Sequence, residues 1–279
     1  MTTPYGAQGG LGQGVQGVQG VQGVGPAPGA AGDPLPEALA LVRGAADAGH
    51  RLKILGGMGV RVLCPDFPPR QRAGQDIDLA CQGKTWRKVA QHLERTGCEP
   101  DKRFNNLNGH QQMYFTAPSG RPIDVMVDKL SMCHTLDLRP SFASASPTLD
   151  PADLLLSKLQ IFELNAKDAH DIFHLLSGVR VGPGQDAGSR PFIDPGRFGS
   201  VLSGDWGWWR TVTGNLTKLP DLLAEQPGLA PPAPRYDPLT QAKQLQEVAE
   251  TTPKSLKWKT RAKVGDRVRW YELPEEVGH

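Results

Sequence analysis

The spacing of apolar positions divides the chain into three regions of different character. From residue 1 to residue 32 no side chain is charged, Gly, Gln, Ala and Pro dominate, and Val-Gln-Gly repeats between Gly14 and Gly25. Such a tract holds too little apolar mass to offset the entropy of ordering it, so residues 1–32 read as a disordered tail. The three-residue repeat is also far shorter than the roughly 20–50 residues of a solenoid unit. From 33 to 180 the pattern switches between helical and strand periods. Asp33-Pro34 opens a helix to about Ala48, with Leu35, Ala38, Leu39 and Val42 on one side and Gly49 as its stop. Lys53-Ile54-Leu55 is a short strand that runs into Gly56-Gly57 and then an apolar stretch, Met58 to Leu63. Pro65, Pro68, Pro69 and Gly74 mark a loop. A strand over Asp76 to Ala80 and a helix over Lys84 to about Thr96 follow, the latter ended by Gly97. Gln112–Ala117 and Arg121–Val127 are strands joined across Pro118-Ser119-Gly120, a hairpin signal. Asp150 suits a helix cap and Pro151 the first helical position. The helix they open carries Leu154, Leu155, Lys158, Leu159 and Phe162; a second helix spans about Ala166 to Ser177 and ends at Gly178.

Beyond a linker at Gly182 to Gly188, residues 181–279 form a C-terminal extension, partly helical. Its first part holds Phe198, Trp206, Trp208 and Trp209; a Pro-rich break from Pro227 to Pro238 leads to a helix over Leu239 to Thr251. The whole is an α+β chain, a small mixed sheet flanked by helices rather than a regular βαβ series. Over 279 residues the net charge is only +2, but Lys254, Lys257, Lys259, Arg261, Lys263, Arg267 and Arg269 crowd the C-terminal tail around Asp266. The N-terminal tract has neither a basic start nor an apolar run, and no stretch approaches the ~20 apolar residues of a membrane span. A soluble cytoplasmic protein without a membrane partner is the expectation. Cys64, Cys81, Cys98 and Cys133 are widely spaced, which excludes a Cys-x-x-Cys zinc or redox pair and reads as reduced, partly buried thiols.

The polar positions within the two best strands carry the candidate chemistry. In Gln75-Asp76-Ile77-Asp78-Leu79-Ala80, strand alternation sends Ile77 and Leu79 to one face and both aspartates to the other. In Ile123-Asp124-Val125-Met126-Val127 the same period sets Asp124 opposite three apolar residues. Three carboxylates on one sheet face repel one another unless cations neutralise them. A pair of Mg²⁺ ions, or Mn²⁺, would do so, and metals ~3.5–4 Å apart can activate a hydroxyl and stabilise a leaving pyrophosphate. Upstream, Gly56-Gly57 sits where a strand meets a helix, so backbone amides and the helix N-terminus can approach a triphosphate. It is not a Walker loop, since no Gly-Lys-Ser/Thr follows.

In this order, Gly56-Gly57, a basic loop with Arg70 and Arg72, Asp76-Ile-Asp78 and Ile123-Asp124-Val125, the chain resembles the DNA polymerase β superfamily of nucleotidyltransferases. Within it the pattern is similar to the abortive-infection type IV toxin nucleotidyltransferases, through Lys158 on one helix and Lys167-Asp168-x-x-Asp171 on the next. The likeness covers about residues 50–177 and rests on short motifs in order. It implies a nucleotidyltransferase fold over 33–180. It also implies transfer of NMP from an NTP to a hydroxyl acceptor, such as RNA or tRNA, a protein, or an aminoglycoside-type small molecule. By that resemblance Asp76, Asp78 and Asp124 hold two Mg²⁺ ions, with Asp124 assisting acceptor deprotonation. Gly56 and Gly57 hold the phosphates, Lys158 reaches the triphosphate, and Lys167 and Asp168 lie near the nucleotide or orient Lys158. It also brings in an antitoxin protein as a candidate partner.

The chain departs from the resembled pattern where Met58 follows the second glycine in place of Ser or Thr, and where Asn165 stands in place of a frequent arginine. Those departures favour, as the rival reading, an inert fold member that binds a nucleotide or partner. Asp171 is equally explained by a structural salt bridge. His170 and His174 have the i, i+4 spacing of a zinc pair but no third ligand, so helix packing is preferred. The tryptophans read as a small core rather than a base-stacking surface, and the basic tail as a solvated face.

Overall fold

The structure is a computed structural model and describes residues 32–69, 75–183 and 190–273. The tail before Gly32, loop residues Arg70 and Arg72, and most of the Gly182–Gly188 linker lie outside the described residues. Short alternating segments build a mixed sheet from β1 (Leu52–Ile54), β2 (Ile77–Cys81), β3 (Glu99–Pro100), β4 (Gln112–Thr116) and β5 (Pro122–Val127). The strand order is β1-β2-β5-β4-β3. β2 and β5 run parallel, and the other neighbours antiparallel. The β4–β5 hairpin turns at Gly120, whose φ of 81° is left-handed and whose N–H donates to Ala117 O at 2.8 Å.

Alternation gives the sheet two unlike faces. Ile54, Ile77, Leu79, Met113, Ile123 and Val125 are fully buried against α1 (Leu35–Asp47) and α3 (Trp86–Arg95). From α1 the buried positions are Ala38, Leu41, Val42 and Ala45, the i, i+3, i+4, i+7 stripe of an amphipathic helix. The other face carries Lys53, Asp78, Ala80, Gln112, Tyr114, Asp124 and Met126. From it Ala80 and Met126 pack into a second core made by α2 (Gly56–Leu63), α5 (Pro151–Leu159), α6 (Ala166–Gly178), α7 (Pro195–Gly204), α8 (Trp206–Glu225) and α9 (Pro238–Thr251). This core is continuous from Leu154 to Ala249, so the helices on both sides of residue 180 share it. Every position of α5 is buried, as expected for a helix enclosed on all sides.

Asp-Pro pairs open several of these helices. Asp194 accepts from Gly196 N at 2.8 Å and Asp237 from Thr240 N at 2.7 Å, each just ahead of a proline. Asp150 precedes Pro151 in the same way, but its side chain makes no cap bond. The apolar stretch after Gly57 is the helix α2, and the helix expected from Lys84 begins with a 3-10 turn at Gly83–Thr85. Phe162 lies beyond the end of α5 and stacks on Tyr271 with ring centroids 3.7 Å apart. Sequence periodicity did not announce α4 (Lys102–Asn108), the hairpin of β6 (Lys129–Ser131) and β7 (Thr135–Asp137), or α10 (Leu256–Ala262) within the basic tail. α4 has only Phe104 and Leu107 as apolar residues and is started by Asp101, which accepts from Phe104 N at 2.9 Å.

All four cysteines are free and buried. Trp208 belongs to the helical core, while Trp206, Trp209, Trp258 and Trp270 pack on one another through ring contacts. Arg261 lies 4.7 Å over Trp206 and donates to Gly265 O and Val268 O, so part of the basic tail is folded inward. Among the described residues no helix is long and apolar enough to cross a membrane.

An ion pair between partly buried Arg197 and fully buried Asp153 ties α7 to α5. Arg197 Nε donates to Asp153 Oδ1 at 2.7 Å, Arg197 Nη2 to Asp137 O at 2.6 Å, and Ser141 Oγ to Asp153 Oδ2 at 2.7 Å. Removing one partner strands the other in a low-dielectric core, which typically costs about 3–5 kcal/mol. Arg197→Met should therefore lower the unfolding free energy by about 3 kcal/mol in urea titration, while Arg139→Met, at an exposed pair with Asp137, should change it by less than about 1 kcal/mol. Equal effects from the two substitutions would rule out the buried pair as a strong link.

Candidate active site

The polar face of the sheet carries Asp78 and Asp124, whereas Asp76, expected on the same strand, falls outside it because β2 begins at Ile77. In the parallel β2–β5 register Asp78 is the direct partner of Asp124, and adjacent strands lie ~4.7–4.9 Å apart. Asp76 sits just ahead of β2. Arg121, buried at the start of β5, donates to Gln75 O at 3.4 Å and to Gly32 O at 2.6 Å, fixing the chain that leads into Asp76.

Gly56 meets Asp78 directly. Its φ of 65° is left-handed, and a Cβ there would fall 2.2 Å from Asp78 Oδ2. Only glycine permits both that backbone conformation and that approach. Leu55 N donates to Asp78 O at 3.0 Å, which pins the turn to β2. α2 then begins at Gly56 with no side chain capping its first amides, leaving the N–H groups and the positive end of the helix dipole available to an anion. Met58 is 1% exposed and packs into the α1 side core. The side chain that departs from the resembled Ser or Thr therefore faces away from the aspartates.

The helices α5 and α6 bring the cations. Lys158 Nζ lies 3.1 Å from Asp168 Oδ1 and 2.9 Å from Asp171 Oδ2, in a largely buried triad. Burial pulls the Lys158 ammonium down, but Asp171 and Asp168 outweigh it and its pKa stands above the ordinary lysine range. Asn165 starts α6, accepting from Asp168 N and donating to Asp168 Oδ2, both at 2.9 Å. Asp168 and Asp171 thus hold the Lys158 ammonium from two sides. Lys158 and Lys167 both act electrostatically on Asp78. The His170 and His174 rings lie tilted against one another with centroids 3.9 Å apart. With Gly57, Arg61, Phe67 and Asp171 they line a cavity of about 20 Å³ between α2 and α6, room for about one water.

Gln112 and Tyr114 on β4 complete the face and were not singled out from the sequence. Gln112 Nε2 donates to both Asp124 oxygens at 2.9 and 3.0 Å and to Tyr114 Oη at 2.8 Å. The available signal was the strand period itself, which puts Gln112 and Tyr114 opposite Met113 and Phe115.

The electrostatics express the crowding. Burial pushes the Asp78 carboxyl up to about 6, with Asp76 adding to the rise and Lys158 opposing it. Burial pushes Asp124 up to about 7, opposed by the Gln112 hydrogen bond and reinforced by Asp78 and Asp76. Among the described residues no three His, Cys, Asp or Glu side chains converge as a ready-made metal cluster.

No family model matches the chain, and no curated protein does. Among solved structures it is similar to the lincosamide antibiotic adenylyltransferase LnuA, lincomycin-bound, at 18% identity over 51% of this chain and 96% of that one, with a TM-score of 0.38. It is similar to ANT(2")-Ia in complex with adenylyl-2"-tobramycin at 10% identity over 45% and 74% of the two chains, with a TM-score of 0.31. An antigenic nucleotidyltransferase-like protein from Paracoccidioides brasiliensis aligns at 13% identity over 79% of this chain and 94% of its own, with a TM-score of 0.36. These likenesses are too distant to assign a family.

Burial raises the Asp124 pKa to about 7 in the folded protein, above the ordinary carboxylate range of the unfolded chain. Its folded pKa is raised, so its contribution to stability is complete at low pH and is lost as pH rises through about 7. In EDTA, Asp124→Asn should raise Tm over wild type by a few degrees at pH 8, with the gain shrinking toward pH 4. A gain that is the same at both pH values would refute the burial of an ionised Asp124.

Proposed function

We propose that the chain is a metal-dependent nucleotidyltransferase that transfers a nucleoside monophosphate from an NTP to a hydroxyl acceptor and releases pyrophosphate. The observation that carries this reading is the register pairing of Asp78 with Asp124, beside a glycine turn that approaches Asp78 too closely for any side chain. The donor set suits Mg²⁺ or Mn²⁺, because such ions are commonly held by one or two carboxylates together with substrate phosphates rather than by an all-protein cage. The carboxylates Asp76, Asp78 and Asp124 would hold a pair of them. When bound, the cations supply neutralisation of the triphosphate and of the departing pyrophosphate.

The chain's own groups divide the remaining work. Amides of Gly56 and Gly57 at the uncapped start of α2 face the phosphates. Lys158, fixed by Asp168 and Asp171, contributes a stationary positive charge, and exposed Lys167 adds another at the rim. The acceptor oxygen bonds to the α-phosphorus, the bond from that phosphorus to the β-phosphate oxygen breaks, and Asp124 accepts the hydroxyl proton. The toxin resemblance directs the acceptor toward RNA, tRNA foremost, in a cytoplasmic toxin–antitoxin setting with an antitoxin protein as partner. A protein hydroxyl or an aminoglycoside-type molecule fits the same chemistry. A second reading, an inert member that binds a nucleotide or partner, is favoured by the full commitment of Lys158 to two carboxylates.

Incubation with each α-labelled NTP, Mg²⁺ or Mn²⁺, and total tRNA or a panel of protein and small-molecule hydroxyls tests the proposal. Pyrophosphate release and a labelled product are expected, both abolished by EDTA. Asp76→Ala and Asp78→Ala should each reduce them by more than the roughly 10- to 100-fold cost of an outer-shell change. Nucleotide binding without turnover on any acceptor would select the inert reading, and absence of both would sink the site assignment.

A further inference from the structure

We infer that Gln112 is the positioning residue that holds Asp124 ready as a cation ligand, an inference that rests on the metal-dependent reading above. In the β4–β5 register Gln112 pairs with Met126 and Tyr114 with Asp124, so Gln112 reaches Asp124 diagonally on the same face. Its Nε2 spans both Asp124 oxygens at 2.9 and 3.0 Å, and reaches the Tyr114 hydroxyl at 2.8 Å. One amide nitrogen thus links a carboxylate to a phenol whose place is set from behind. The Phe104 ring lies 4.3 Å from that of Tyr114. Asn105 brackets the Tyr114 backbone, accepting from its N–H at 2.8 Å and donating to its carbonyl at 2.9 Å. The chain of support therefore runs from α4 through Tyr114 and Gln112 to Asp124.

The choice of an amide matters. A lysine or arginine at residue 112 would neutralise Asp124 and compete with a cation, whereas an apolar side chain would leave the carboxylate free to turn. The amide orients the carboxylate without cancelling its charge, and the carboxylate oxygens keep lone pairs for coordination. Loss of such an outer partner commonly weakens metal binding 10- to 100-fold.

Titration of the metal-free full chain with Mn²⁺, free ion read by electron paramagnetic resonance, tests this without any turnover. It is run alone and with the α,β-methylene analogue of ATP. Wild type is expected to bind, and Asp78→Asn and Asp124→Asn to bind far less. Gln112→Met should weaken Mn²⁺ roughly tenfold at unchanged Tm, and Tyr114→Phe should weaken it by a smaller factor. Gln111→Ala, which alters a side chain directed to His110, should match wild type. Equal affinity in Gln112→Met and wild type would overturn the role of Gln112 and leave the metal reading standing. A loss that tracks a fall in Tm, with Tyr114→Phe unaffected, would overturn it too. No Mn²⁺ binding by wild type under either condition would overturn both.

Discussion

Two carboxylates held side by side on parallel strands are the constraint around which this molecule is arranged. Asp78 and Asp124 share a register position, and the helices over that face take both out of most of the water, so each resists ionisation. The surroundings answer this in three ways. α5 and α6 place Lys158 and Lys167 within electrostatic reach of Asp78. β4 supplies the Gln112 amide to Asp124. Gly56 brings backbone rather than a side chain against Asp78. Each response is partial, and both carboxyls still stand above the ordinary carboxylate range.

That constraint explains why the C-terminal helices belong to the same structure as the sheet. Lys158, which acts electrostatically on Asp78, is carried by α5, and α5 is buried along its whole length, packed against α2, α6, α7 and α8. The Arg197–Asp153 pair and the continuous apolar core make the extension part of the wall that carries Lys158. The aromatic cluster serves the same end. Trp270 Nε1 donates to Thr211 Oγ1 at 3.1 Å and Tyr271 stacks on Phe162 just past α5, so these rings are occupied in holding the C-terminal segment against the helical layer.

The aspartate face was legible because a period of two is a strong constraint on a strand. Ile77, Leu79, Ile123 and Val125 had to share a buried face, so Asp78 and Asp124 had to share the other. Their direct pairing was not legible, since register between strands separated by a long excursion is a tertiary property. Helix α4 escaped because its stability comes from Asp101 and from Asn105 on the Tyr114 backbone, neither of which leaves an apolar period. Gln112 escaped for a related reason. An amide on an alternating strand reads as solvent-facing until the neighbouring strand places a carboxylate beside it. The helices α5 and α6 were visible from their apolar spacing, yet the pairing of Lys158 with both Asp168 and Asp171 depends on how the helices cross.

The state of Lys158 bears on how the site could work. A lysine free in a cleft can follow a phosphate as it moves, whereas one held at 2.9 and 3.1 Å by two carboxylates acts as a fixed component of the field. Fixed charges cost no reorganisation when charge develops on a substrate, which is the condition under which electrostatic stabilisation is most effective. The same triad also lowers the net charge that α5 and α6 project, because two carboxylates accompany one ammonium. The uncapped amides of α2 and any bound cation would then carry a larger share of the attraction for a triphosphate. The burial of Met58 in the opposite core is consistent with that division of labour. With no hydroxyl at the start of α2, an anion there would meet backbone amides, and Gly56, where a Cβ would fall 2.2 Å from Asp78 Oδ2, keeps a side chain out of that turn.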